Sequence, residues 1–150
     1  MKDKAENINP LDRVPADMRM ELDKFVEGVI SYEPIVEIDE IILFGSLAKG
    51  NWNRQKSDID LIVVVAEDLN YEYLNYLYVH QVMGNSTTEQ TQLITYGAQR
   101  TSLEFQSKLH FIVCTPSDFN NILNRFNDGR RSLGETIREG ITLYKRQKPA

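Results

Sequence analysis

The stretch ILFGSLAKGNWNRQKSDIDLIVVV, residues 42–65, sets an Asp-x-Asp pair against a long apolar run. Asp58 and Asp60 are two positions apart, so on a β-strand their side chains project from one face while Ile59 and Leu61 point into the core. Two carboxylates in apolar surroundings repel each other and are costly to bury unless a positive group meets them. A hard cation that shares its shell with a substrate phosphate meets this need, which predicts an Mg²⁺ site.

A Gly-Ser pair ends the preceding apolar stretch and points to a phosphate. Gly45 lets the backbone approach a phosphate closely, and the Ser46 hydroxyl and nearby N–H groups can donate to it. If SLAKG opens as a helix, its N-terminus adds a partial positive charge. Arg54 and Lys56 lie between the two motifs and can meet a triphosphate tail, and Trp52 can stack on a base or an acceptor.

Composition and charge describe one ordinary globular domain. The chain has 150 residues, 41% of them hydrophobic and 26% charged. A formal net charge of -5 argues against a general nucleic-acid-binding protein. A single cysteine, Cys114, excludes an intrachain disulfide and a multi-cysteine zinc site, and its apolar neighbours predict a buried side chain. No stretch is as long as a transmembrane helix, and the charged start MKDKAENINPLDR lacks the apolar centre of a secretion signal, so we expect a cytoplasmic location.

The N-terminal part divides into a lead-in and a helix. Residues 1–16 contain two prolines and many charges, and they are predicted to be a loosely held lead-in to a single domain over 17–150. Apolar residues at helical spacing predict a helix that begins with Asp17 as its N-cap and that Pro34 stops.

The rest of the chain alternates between strands and helices. Three apolar stretches are predicted as strands, over residues 35–45, 59–66 and 102–115. The first two either pair antiparallel or are bridged by a short helix at SLAKG. Helices are predicted over 70–84 and from an N-cap at Ser117, and the C-terminus is predicted as a helix, a break at Gly140 and a short strand. This alternation predicts an α/β or α+β domain, a small mixed sheet with flanking helices.

The segment FGSLAKGNWNRQKSDIDLIVVV resembles the signature of the nucleotidyltransferase superfamily related to DNA polymerase beta, in its minimal form. That signature is Gly-Ser, an intervening stretch, and Asp-x-Asp within a hydrophobic strand. The C-terminal run from TPSDFNN to SLGETIREGITLYKR also resembles such minimal domains, so the two matches cover residues 41–65 and 109–145. The resemblance implies the polymerase-beta-like nucleotidyltransferase fold.

The resemblance also implies a reaction. Asp58 and Asp60 become the catalytic acids that hold Mg²⁺ or Mn²⁺, and Gly45 and Ser46 become the triphosphate contacts, with Lys56 beside them as a further nucleotide-binding residue. Members of the superfamily transfer a nucleoside monophosphate from a nucleoside triphosphate to a hydroxyl and release pyrophosphate. Their acceptors include antibiotics, proteins and nucleic-acid ends, and ATP is the expected donor here.

One position departs from the superfamily pattern. A later strand usually supplies a third carboxylate that helps to activate the attacking hydroxyl. In KLHFIV our placement puts His110 there, with Lys108 on the same face, and Glu104 is the nearest acid if the strand runs that far back. His110 can serve as a general base or be a core histidine. An active enzyme using His110 or Glu104, a slow enzyme with two acids, and a nucleotide binder without catalysis all stay open.

Two functions from different classes follow. The first is a metal-dependent nucleotidyltransferase that moves AMP from ATP to a hydroxyl. Because the chain lacks an obvious second domain for a large substrate, another protein is the acceptor that the resemblance suggests. Some stand-alone members of the superfamily that it resembles are antitoxins that bind a small helical toxin or modify it with AMP. The second is a catalytically weak or inactive antitoxin or regulatory module that binds a partner. Antibiotic-modifying relatives often dimerise around the site, which makes a homodimer a further expectation.

Overall fold

A mixed β-sheet organises the part of the chain that a computed structural model describes, residues 10–31, 37–66, 97–124 and 133–147. Its strands are β1 (Ile38–Phe44), β2 (Ile59–Val65), β3 (Leu109–Cys114) and β4 (Ile141–Lys145). The helices are α1 (Ala16–Ile30), α2 (Ser46–Lys49), α3 (Leu103–Gln106), α4 (Pro116–Leu123) and α5 (Leu133–Arg138). The helix predicted over 70–84 lies outside the described residues.

The strand order is β3-β2-β1-β4. β1 pairs antiparallel with β2 on one side and with β4 on the other, whereas β3 runs parallel to β2. The connection between β1 and β2 contains α2, so the antiparallel pairing and the short helix both occur. This four-stranded mixed sheet with flanking helices confirms the predicted α+β class and agrees with the polymerase-beta-like fold.

The apolar run of β2 is buried on both faces of the sheet. Leu61 and Val63 belong to a core cluster that includes the buried face of α1, where Phe25 lies against Phe111 of β3 with ring centroids 5.9 Å apart. Ile62 belongs to a second cluster on the opposite face, against which apolar residues of α4 pack. A strand covered on both sides needs continuous hydrophobicity rather than alternation, which explains the sequence LIVVV.

The lead-in is described from Pro10 onward. Pro10–Arg13 forms a 3₁₀-helix, and Val14 is buried in the same cluster as α1 with 2% of its surface exposed. The division of the chain into a lead-in over 1–16 and a domain over 17–150 stays a prediction.

Two helix caps differ from the predicted ones. α1 begins at Ala16, and Asp17 is inside its first turn with no capping bond; its carboxylate instead accepts the Met18 N–H at 3.0 Å and pairs with Arg54. In α4 the N-cap is Thr115, whose hydroxyl accepts the Asp118 N–H at 3.2 Å. The predictions of Asp17 and Ser117 as caps were therefore wrong. Pro116 explains the shift in α4, because proline is favoured at the first position of a helix.

The third predicted strand is shorter than expected. It begins at Leu109, and the preceding residues form α3 instead of continuing the strand. The Ser102 N–H donates to the carboxylate of Glu21 on α1, and Phe105 turns into the core with 5% exposed. The chain is thus held against α1 before the sheet begins, so a strand that extends back to residue 102 was a wrong prediction.

The C-terminal prediction is confirmed: α5 ends at Arg138, Gly140 breaks the helix, and β4 follows. Cys114 is 3% exposed at the end of β3, and burial raises the pKa of its thiol to about 12. It is the small buried side chain that its apolar neighbours predicted. Across the described residues, the helices are too short or too polar for a membrane crossing.

Candidate active site

The register of the sheet sets Asp60 between two neighbouring strands. Its backbone pairs with Phe44 at the end of β1 and with His110 near the start of β3. The Asp60 side chain is 25% exposed, whereas Asp58, just before β2, is exposed. Ile59 between them is buried at 1% exposure. Within β2 the predicted alternation holds for Ile59 and Asp60, whereas Asp58, predicted on the same strand, lies just before it and is exposed.

The Asp60 carboxylate packs directly on the backbone of Gly45. A Cβ placed on Gly45 would lie 2.4 Å from Oδ2 of Asp60, closer than any real side chain tolerates. Gly45 also has a φ of +79° and a ψ of −155°, a conformation that is essentially restricted to glycine. It immediately precedes α2, whose first residue is Ser46. The two sequence motifs thus meet in space, with the second acid against the glycine.

The environment of Asp60 disfavours a negative charge. Burial is the main cause that raises the pKa of this carboxyl above its ordinary value, and the negative charge of Asp58 raises it further. A hydrogen bond and the charge of His110 act in the opposite direction but do not outweigh burial. An ionised Asp60 is therefore costly in the metal-free protein, and a bound cation would remove that cost.

The position expected for a third carboxylate is adjacent to the pair. His110 Nδ1 lies 3.4 Å from Asp60 Oδ1, and the imidazole is 65% exposed. The prediction that His110 occupies this place on β3 agrees with the register, and its exposure excludes the alternative of a core histidine. Lys108 precedes β3, and its carbonyl accepts the Ile59 N–H at 2.8 Å.

Glu104 does not belong to the strand that was considered for it. It lies on α3, and its Oε1 is 3.4 Å from an Arg54 guanidinium nitrogen. The option that Glu104 supplies the third acid from a continuous strand depended on β3 starting near residue 102, and the structure removes that basis.

Two residues of the loop between α2 and β2, Trp52 and Arg54, were predicted to contact a ligand but bind other parts of the protein. Arg54 binds the carboxylates of Asp17 and Glu104 and lies over the ring of Trp52, with its Cζ 5.7 Å from the centroid. Trp52 donates its indole N–H to the Asp58 carbonyl at 3.2 Å. Lys56 is exposed on the same loop. The sequence carries no signal for these partners of Arg54, because they are 37 and 50 positions away.

Asp58 and Asp60 are the type of ligand that a hard cation binds. Within the described ranges, no three His, Cys, Asp or Glu side chains converge into a complete metal cage. Asp60, which is partly buried, and Asp58, which is exposed, would offer carboxylate oxygens to a cation that takes its other ligands from phosphate oxygens and water. This is the ligand chemistry of Mg²⁺, which dedicated protein cages seldom bind.

Comparison with known families and proteins identifies the fold. The family model described as "Nucleotidyltransferase domain" matches residues 22–132, a range that contains Gly45, Ser46, both acids and His110. Neither the curated proteins nor the solved structures contain a significant match to the chain. Because the family model covers well over half of the 150 residues, the chain belongs to the nucleotidyltransferase domain family of the DNA polymerase beta-like superfamily.

Proposed function

We propose that this protein is a metal-dependent nucleotidyltransferase that moves AMP from ATP to a hydroxyl of an unidentified acceptor. Membership in the family supports general nucleotidyl transfer. The observation that supports the proposal further is the packing of the Asp60 carboxylate on the Gly45 backbone, which brings the second acid to the Gly-Ser turn.

In this proposal each residue of the site has a defined task. Asp58 and Asp60 would hold Mg²⁺, which supplies charge neutralisation on the triphosphate when it is bound. Gly45 lets the Asp60 carboxylate lie against the backbone of the Gly-Ser turn. At that turn Gly45, the Ser46 hydroxyl and the Lys56 ammonium would contact the triphosphate, with the hydroxyl and the ammonium donating to its oxygens. The acceptor oxygen forms a new bond to the α-phosphorus, the bond to the β-phosphate breaks, and pyrophosphate and a proton are released. Most of the rate then comes from positioning and electrostatics.

Calorimetric titration of ATP into the protein, with Mg²⁺ and again with EDTA, tests the proposal. We expect binding with the metal and a marked loss with EDTA. Transfer is then followed with ATP labelled on the α-phosphate, so that the labelled product identifies the acceptor. If ATP fails to bind under both conditions, the proposed function is wrong.

A second function is supported by one observation. His110 stands beside Asp60 where the superfamily usually has a carboxylate. A site without that acid can keep nucleotide binding and lose turnover, which agrees with an antitoxin or regulatory module that binds a small helical toxin-like protein. The two functions differ in whether labelled AMP is transferred, since a pure binding module should bind a partner and leave it unlabelled.

Replacement of His110 by Asp tests whether the missing acid limits catalysis. The parallel register would set the new carboxylate beside Asp60, so we expect pyrophosphate release from ATP to rise about tenfold or more. In EDTA the same variant should be less stable than wild type, because a third acid joins the pair. His110→Asn controls for loss of the imidazole. A rate that falls equally in both variants would mean that His110 itself is required and that no acid is missing.

A further inference from the structure

The loop over residues 51–58 is internally ordered although it is polar. The Asn53 side chain accepts the N–H groups of Gln55 at 2.9 Å and Lys56 at 3.1 Å, which is an Asx turn. The main-chain carbonyl of Asn53 accepts the Ser57 N–H at 2.8 Å, and the main-chain N–H of Asn53 donates to the Ser57 hydroxyl at 3.1 Å. These bonds close the loop upon itself immediately before Asp58.

Arg54 attaches this closed loop to two other elements. Its guanidinium binds Asp17 in the first turn of α1 and Glu104 on α3. The hydrogen bond between the two side chains raises the pKa of Arg54 and lowers the pKa of Asp17. The guanidinium carbon also lies 5.2 Å from the Phe105 ring centroid. Arg54 therefore connects the loop to α1 and α3, which are distant from it in sequence.

Trp52 links the fastened loop to the acid. Its ring is tilted against Phe105 at 6.4 Å between centroids and carries Arg54 over its face, while its indole N–H donates to the Asp58 carbonyl. Asp58 itself precedes β2, and the first bond that ties this end of β2 to its neighbour belongs to Ile59. The hydrogen bond from the Trp52 indole N–H therefore holds the main chain of Asp58, which lies just outside β2.

We propose that Trp52 and Arg54 are positioning residues that orient Asp58 for the cation, with Trp52 acting through the Asp58 carbonyl and Arg54 through the Trp52 ring. The inference rests on the proposed function, because it concerns the same cation. A carboxylate outside the sheet loses binding strength if its backbone can rotate, and partners that orient a ligand typically contribute tenfold to a hundredfold to metal affinity.

The test measures Mn²⁺ binding by electron paramagnetic resonance, alone and with ATP. Trp52→Phe keeps an aromatic ring against Phe105 and Arg54 but removes the donor, so we expect the Mn²⁺ dissociation constant to rise about tenfold. Arg54→Met should raise it by a smaller factor. Arg100→Met is the matched control, since Arg100 is similarly exposed (42% against 44%) and pairs with Glu27 on α1. That control should bind Mn²⁺ like wild type.

A double-mutant cycle distinguishes positioning from general stability. If Trp52 acts through Asp58, Trp52→Phe should change the weakened Mn²⁺ affinity of Asp58→Asn by less than twofold. The inference is overturned if Trp52→Phe binds Mn²⁺ as wild type does, or if its loss of affinity is the same in both backgrounds. In either case, binding of Mn²⁺ by the wild-type protein would still agree with the proposed function. If wild type binds no Mn²⁺ with or without ATP, the proposed function fails and the inference fails with it.

Discussion

Asp60→Asn is expected to abolish metal-dependent ATP binding and to lower nucleotidyl transfer about a thousandfold. The change keeps the size of the side chain and removes its charge at the position where the carboxylate lies against Gly45. A metal ion contributes several kcal/mol of charge stabilisation to phosphoryl chemistry, and each 1.4 kcal/mol corresponds to about a factor of ten in rate. Pyrophosphate release from ATP and calorimetric titration with Mg²⁺ measure the two losses separately.

The same change should have the opposite effect on stability without metal. Burial and the charge of Asp58 together oppose ionisation of Asp60 more than His110 supports it. A neutral amide removes that cost, so in EDTA at neutral pH the melting temperature should rise. Adding Asp58→Asn should change it little more, because the repulsion between the two carboxylates is already gone. Asp23→Asn, at an exposed position on α1, serves as the control. It should change neither the metal-dependent binding of ATP nor the melting temperature in EDTA.

A fall in melting temperature in EDTA would contradict the metal-site interpretation. It would mean that the Asp60 carboxylate stabilises the fold, through His110 or through the Gly45 backbone, and is retained for that reason. Unchanged transfer in the double variant would contradict the chemistry in a different way, because no bound cation would then depend on these acids.

Much of the fold followed from local pattern because the two central strands, β1 and β2, are buried on both faces. Continuous apolar runs identified β1 and β2. Gly45 marked where the chain leaves the sheet after β1, and Gly140 marked where it enters the sheet before β4. The start of β3 was not predictable in the same way. Residues 102–106 alternate between polar and apolar side chains as a strand does, but they form α3, and the Ser102 N–H before this helix is bound to Glu21, 81 positions earlier.

The site was predictable to the same extent and for the same reason. Asp58, Asp60, Gly45 and Ser46 lie within one local motif, and His110 required only the assumption that β3 runs beside β2. The roles of Arg54 and Trp52 required contacts that close long loops, which no local pattern encodes. Arg54 was for this reason interpreted as a phosphate ligand, whereas the structure shows it bound to two carboxylates.

Gly45→Ala is expected to lower ATP binding and transfer about a hundredfold. The added methyl would lie 2.4 Å from Asp60 Oδ2, so the carboxylate must move. A misplacement of about 1 Å at a reacting centre can cost a hundredfold in rate. The backbone at Gly45 also suits only glycine, which adds a destabilisation of about 1–3 kcal/mol that chemical denaturation would measure.

Gly50→Ala supplies the control that separates backbone strain from displacement of the acid. Gly50 also has a positive φ, +85°, but a Cβ there would meet its nearest neighbour, Arg13, at an ordinary contact distance of 3.6 Å. The Gly50→Ala variant should therefore be less stable than wild type by about 1 kcal/mol. Its affinity for Mg²⁺ and ATP should stay near that of wild type. If the two variants lose activity in proportion to their stability alone, the contact between Gly45 and Asp60 serves the fold only. If Gly45→Ala loses far more, the glycine is kept so that the second acid can lie against the phosphate-binding turn.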